Sequence, residues 1–118
     1  MGLDMYLSKK ETSEVAYWRK ANAIHGWITS NARELDPDIL YNVTMDNIVE
    51  LRDVCKQVTE AHDEDLAMEL LPPASGFFFG SNEVGEYYWD YVAETVTTLS
   101  AIIQENPDDA EFEYYASW

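Results

Sequence analysis

From residue 3 to residue 9 apolar and polar side chains alternate, with Leu3, Met5 and Leu7 on one side and Asp4, Tyr6 and Ser8 on the other. A period of two predicts a half-buried strand. The spacing then lengthens. Val15, Trp18, Ala21, Ile24, His25 and Ile28 mark the buried side of a helix that Thr12 or Ser13 can cap, with Glu14 in its first turn. That helix should end near residues 31–33, because Pro37 disfavours helix at the residue before it. Residues 41–43 read as a short strand or an extended link. Thr44 is a good cap for a second helix, whose apolar stripe is Ile48, Leu51, Cys55 and Val58. It frays over residues 62–65, and residues 66–71 can add one more turn, closed by Pro72 and Pro73.

The longest periodic stretch covers residues 83–104. Trp89, Val92, Val96, Leu99 and Ile103 recur at steps of three and four, the spacing of one apolar helix face. After a turn at Asn106, Pro107, Asp108 and Asp109 the period returns to two. Phe112, Tyr114, Ala116 and Trp118 alternate with Glu111, Glu113, Tyr115 and Ser117, which predicts a second strand. A strand running to residue 118 is expected to be tied into a sheet, with the strand at 3–9 as its partner. The reading is one α+β domain over residues 1–118: three main helices packed on a small antiparallel sheet that contains the N- and C-terminal strands. No repeat, low-complexity tract or linker interrupts it.

Composition fits that reading. A chain of 118 residues with 47% apolar and 14% aromatic content can bury a real core. Its apolar runs fall far short of the ~20 residues a membrane span needs. No basic segment precedes an apolar one at the start, so no signal peptide is expected. Tyr6 stands where a myristoylation signal needs Ser or Thr. The lone cysteine, Cys55, excludes an internal disulfide and fits a reducing cytoplasm.

Charge changes the picture most. The net charge is −16. All seven bases lie within residues 1–56, where nine acids reduce the balance to −2. The remaining residues carry fourteen acids and no Lys or Arg, a balance of −14. Such a surface repels nucleic acid, nucleotides and anionic membranes, and attracts basic proteins or cations. On the last long helix Glu83, Glu86, Asp90 and Glu94 repeat at helical spacing, ~5–6 Å between neighbours. That interval approximates the step between phosphates of one nucleic-acid strand. Joined by Glu60, Glu64, Glu111 and Glu113, these carboxylates can occupy the basic groove of a nucleic-acid-binding protein. A solvated, solubilising face and adaptation to a saline cytoplasm are the competing readings of the same charge.

Catalytic chemistry has little support. Cys55 lies on an apolar stripe beside Leu51 and Val58, as a small hydrophobe would. His25 sits between Ile24 and Ile28 on the core side of its helix. His62 with Asp63, Glu64 and Asp65 offers an imidazole and oxygens to a divalent cation, but no zinc-protease, paired-cysteine or calcium-loop pattern accompanies it. No glycine pattern cradles a phosphate. Phe77, Phe78 and Phe79, between Gly76 and Gly80, plug the core or line an aromatic pocket. No catalytic residue, metal ligand or cofactor is expected.

Five ordered motifs carry a resemblance: Met1-Gly2-Leu3-Asp4-Met5-Tyr6-Leu7; Ala16-Tyr17-Trp18-Arg19-Lys20-Ala21-Asn22 with Ile24-His25; Leu70-Leu71-Pro72; Gly76-Phe77-Phe78-Phe79-Gly80-Ser81; and Phe112-Glu113-Tyr114-Tyr115-Ala116-Ser117-Trp118. Over most of its length the chain resembles a family of small acidic proteins encoded by bacteriophages and prophages, whose biochemical role is not established. The resemblance implies a viral accessory protein in the bacterial host cytoplasm. By analogy of class, it points to a non-enzymatic inhibitor of a host nucleic-acid-binding defence protein, of anti-CRISPR or anti-restriction type. The expected partner is that protein's basic surface, with no direct contact to nucleic acid or membrane. The alternatives are a structural or oligomeric interaction protein using aromatics that include Tyr87, Tyr88, Tyr91 and Tyr115, and a metal-binding protein or enzyme using His25, His62 or nearby acids.

Overall fold

The computed structural model describes residues 3–9, 13–36, 40–73 and 84–117. The first alternating stretch forms β1 (Asp4–Lys9), with Met5 and Leu7 buried. The next element differs from the expected helix: Ser13–Arg19 is a strand, β2, antiparallel to β1, with Met5 opposite Trp18 and Tyr6 opposite Tyr17. Ala16 and Trp18 face the core while Tyr17 and Arg19 stay exposed, so a period of two was present beneath the helical spacing. Val, Tyr and Trp favour a pleated, half-buried surface, and pairing with β1 decides between the periods. Lys20 then takes a left-handed backbone (φ 56°) and its N–H bonds to the Leu3 carbonyl at 2.7 Å. The corner separates β2 from the helix that follows, α1 (Asn22–Asn31), in which Ile24, His25 and Ile28 are buried. The Thr12 cap lies outside the described residues.

Two further strands follow, β3 (Arg33–Asp36) and β4 (Leu40–Thr44). Pro37, the expected helix stop, lies outside the described residues. Thr44 opens α2 (Met45–Ala61) with a capping box. Its hydroxyl accepts from the Asn47 N–H at 3.1 Å, and its own N–H donates to Asn47 Oδ1 at 3.0 Å. Ile48, Leu51, Cys55 and Val58 are all buried, as the spacing predicts. At His62 the backbone turns left-handed (φ 48°), and Asp63 caps the short α3 (Glu64–Leu70). The described residues thus hold four helices rather than three main ones, because the extra turn expected at 66–71 becomes a helix in its own right.

Then come α4 (Glu86–Glu105) and β5 (Glu111–Ser117). The five strands form one antiparallel sheet in the order β2-β1-β5-β4-β3. The strands nearest the two termini therefore pair with each other, with Met5 opposite Ala116 and Tyr6 opposite Tyr115. Phe112, Tyr114 and Ala116 point to the helices together with Tyr41 and Val43. Trp118 lies outside the described residues.

The helices cover one face of this sheet. α2 and α4 pack side by side and antiparallel. His62, just past the end of α2, stacks on Trp89 in the first turn of α4, with ring centroids 4.1 Å apart. At the other end the Met45 N–H bonds to the Ala110 carbonyl at 3.1 Å. The buried residues of α4 are Tyr88, Tyr91, Val92, Thr95, Leu99 and Ile102, whereas Trp89, Val96 and Ile103 are only half-buried. The expected stripe is therefore rotated: besides packing on α2, α4 meets β2 through Thr95 and α1 through Tyr91. Trp18 Nε1 donates to Thr95 Oγ1 at 2.9 Å, and Tyr88 donates to the Leu71 carbonyl at 2.8 Å. No helix among the described residues is long and apolar enough to cross a membrane.

Candidate functional site

The longest helix turns a row of carboxylates to solvent. Glu86, Asp90 and Glu94 follow one another at single turns of α4, and all three are exposed. They fall there because Tyr88, Tyr91, Val92, Thr95 and Leu99 commit the opposite side of the helix to the core. Glu86 also lies in the first turn, where the helix dipole favours negative charge. None of the three is in an ion pair with a described base. Glu83, the first member of the predicted row, lies outside the described residues.

The other predicted residues divide between two places. Glu60, near the end of α2, and Glu64, in the first turn of α3, are exposed on either side of His62. The stacking of His62 on Trp89 brings this corner next to the start of α4, so Glu60 and Glu64 share one end of the helical layer with Glu86. Asp46, Glu50 and Asp53 continue the acidic surface along the outer side of α2, where Arg52 pairs with Asp53 at 2.7 Å. Glu111 and Glu113 do not join this group. They alternate with the buried Phe112 and Tyr114, so they point to the sheet face turned away from the helices.

That second face carries a feature that spacing along the chain did not reveal. Tyr17, Tyr6 and Tyr115 stand opposite one another on three adjacent strands. The Tyr6 ring lies 5.3 Å from that of Tyr17 and 6.0 Å from that of Tyr115. The Tyr17 hydroxyl donates to Asp4 Oδ1 at 2.6 Å, and Arg19 reaches the same oxygen at 3.2 Å. This hydrogen bond, helped by Arg19, holds the Asp4 carboxyl below its ordinary range, and the same bond raises the Tyr17 phenol. The helical spacing of Val15, Trp18 and Ala21 hides this row, because it puts Tyr17 on a helix rather than on β2. Two of the expected surface aromatics, Tyr88 and Tyr91, are only 2% and 7% exposed, so they belong to the core. Tyr87 and Tyr115 are exposed.

Hollows open on the surface of the described residues. One, of about 340 Å³, lies between α1 and the end of α3, lined by apolar groups such as Trp27, Leu70 and Pro72 and, among the described residues, by no charged side chain. Another, of about 270 Å³, lies between β2 and α4, and its walls include Tyr17, Tyr87, Asp90, Tyr91 and Glu94. The acidic row thus borders an aromatic groove along its β2 side.

Cys55 and His25 are both buried in the core. Burial pushes the Cys55 thiol up to about 12, which leaves no thiolate at neutral pH. His25 Nδ1 lies 2.7 Å from the Tyr114 hydroxyl in the core, and burial raises that phenol too. Among the described residues no three His, Cys, Asp or Glu side chains gather to hold a metal ion. The three Phe of residues 77–79 lie outside the described residues. No family model, curated protein or solved structure matches the chain.

Proposed function

We propose that this chain is a non-enzymatic binding protein whose acidic helical layer occupies the basic groove of a nucleic-acid-binding protein in place of a polynucleotide. The observation that carries the reading is the exposed row Glu86, Asp90 and Glu94, unpaired by any described base and continued by Glu60 and Glu64 at one end. Its members recur every ~6 Å of helix axis. One strand of duplex DNA carries a charge every ~3.4 Å. Along the axis the row therefore carries about half the linear charge of a strand, short of the phosphate-for-phosphate match that side-chain spacing suggests, and on a rigid helix it is enough to meet several Lys or Arg side chains in series. By analogy of class, the resemblance to small acidic phage proteins makes this chain an inhibitor of anti-CRISPR or anti-restriction type, its target a host nucleic-acid-binding defence protein met in the bacterial cytoplasm. Glu111 and Glu113 act separately from the row, since they lie on the other face of the sheet.

The test is capture of a DNA- or RNA-binding partner from bacterial lysate on the immobilised chain. Capture is expected to be lost when Glu86, Asp90 and Glu94 are all changed to Lys, to be competed by duplex DNA, and to weaken steeply with salt. An unchanged partner profile with the folded triple variant would overturn the reading.

The tyrosine row on the sheet face turned away from the helices favours a second reading, protein contact through aromatic surface. Association of that kind should survive high salt and be lost when Tyr6 and Tyr115 are changed to Ser.

A further inference from the structure

The groove between β2 and α4 holds more than negative charge. Asp90 and Glu94 sit one helical turn apart on one wall, with Tyr17, Tyr87 and Tyr91 around them. Each of these hydroxyls already has a partner. Tyr17 donates to Asp4, Tyr87 to the Arg19 carbonyl, and Tyr91 to Asn22 Oδ1 at 3.4 Å, while Tyr91 accepts from the Ala23 N–H at 3.2 Å. The Tyr87 and Tyr91 rings also brace each other edge to face, 5.4 Å apart. With its hydroxyl proton committed, the half-exposed Tyr87 ring offers a visitor carbon and π-electron surface, held in place beforehand by the buried Tyr91. Fixed aromatic rings beside two carboxylates are the chemistry that recognises an organic cation.

The kind of cation follows from the same parts. A guanidinium is planar, stacks on aromatic rings and is weakly hydrated, and its fork of donors can serve two separate carboxylates. An ammonium is strongly hydrated and gains less from the rings. Arg19 borders the groove but is paired with Asp4, so its charge is already countered. At about 270 Å³ the groove is small for a free ligand, and it opens among exposed residues of the acidic layer, which draws basic proteins. We propose that this groove seats one arginine side chain of a basic protein partner, between the Asp90–Glu94 carboxylates and the Tyr87 ring. The proposal rests on the reading of the acidic helical layer as a protein-binding surface, and it names the partner group that anchors there.

The test is NMR titration of the isotopically labelled full chain with a hexa-arginine peptide and, at matched salt, with a hexa-lysine peptide. Saturable shifts are expected at Tyr17, Tyr87, Asp90 and Glu94, with the arginine peptide bound several-fold more tightly. Replacing Asp90→Asn and Glu94→Gln together should weaken the arginine peptide by roughly tenfold or more. Tyr87→Leu should abolish the preference for arginine, and Tyr87→Phe, which keeps the ring, should retain it. Equal affinities for the two peptides, or arginine binding untouched by D90N/E94Q, would overturn the arginine seat. In that event, loss of binding on changing Glu60, Glu64 and Glu86 to Lys would leave the acidic-layer reading standing. Binding of neither peptide would overturn both.

Discussion

Thr95 shows how much one polar residue decides here. It is fully buried on α4, accepts a hydrogen bond from Trp18 Nε1 and donates one to the Tyr91 carbonyl at 2.7 Å. It therefore couples the edge strand β2 to the longest helix. Thr95→Val keeps the shape but strands a buried indole N–H, so a loss of about 1–3 kcal/mol is expected. Urea denaturation measures it, and Thr95→Ser should restore most of the loss. An unchanged midpoint would show that the indole finds another partner. The sequence announced some residues better than others. Cys55 and His25 were legible as core because their neighbours are apolar at helical spacing. Tyr88, Tyr91 and Thr95 were not, because a polar atom reads as exposed until the fold supplies its partner.

At the scale of the element, α2 was the easiest to read. Its cap and its whole apolar stripe are local signals, and the structure keeps both. Thr44→Ala removes the acceptor for the Asn47 N–H and should cost about 1 kcal/mol, within a range of roughly 0.5–2. Thr44→Ser should be nearly neutral, and equal stabilities of the Ala and Ser variants by chemical denaturation would deny the cap its role. β2 was the hardest. Val15, Trp18 and Ala21 satisfy a helical spacing, while Ala16 and Trp18 satisfy a strand, and seven residues cannot separate the two. The partner that settles the matter, β1, acts through hydrogen bonds that no local pattern contains. α4 falls between these cases. Its existence was plain from its length, but its buried side is rotated because it meets β2 and α1 as well as α2.

At the scale of the molecule, the acidic half of the chain is not one half of the surface. β5 lies at the centre of the sheet, so its alternation sends Glu111 and Glu113 to the side opposite the helices. What gathers on the helical side is Glu60, Glu64, Glu86, Asp90 and Glu94, joined by the acids along α2. A net charge of −16 on a small fold produces self-repulsion that screening relieves. Raising NaCl from about 10 mM to about 150 mM shortens the screening length from ~30 to ~8 Å. Thermal unfolding should shift upward, by roughly 3–5 °C for each ~1 kcal/mol gained. A melting temperature that stays constant across this range would mean that the acids repel one another too little to matter.

Local spacing and composition alone determined that β1, α2, α4 and β5 would form, that Thr44 would start a helix, and that the last 62 residues would carry no base. Those properties depend on residues a few positions apart, or on none but themselves. Only the tertiary structure decided that residues 13–19 become a strand, that three tyrosines align across separate strands, and that Asp90 and Glu94 border an aromatic groove. Each of these joins groups distant in the chain, and what brings them together is the pairing of strands and the burial of a shared apolar face.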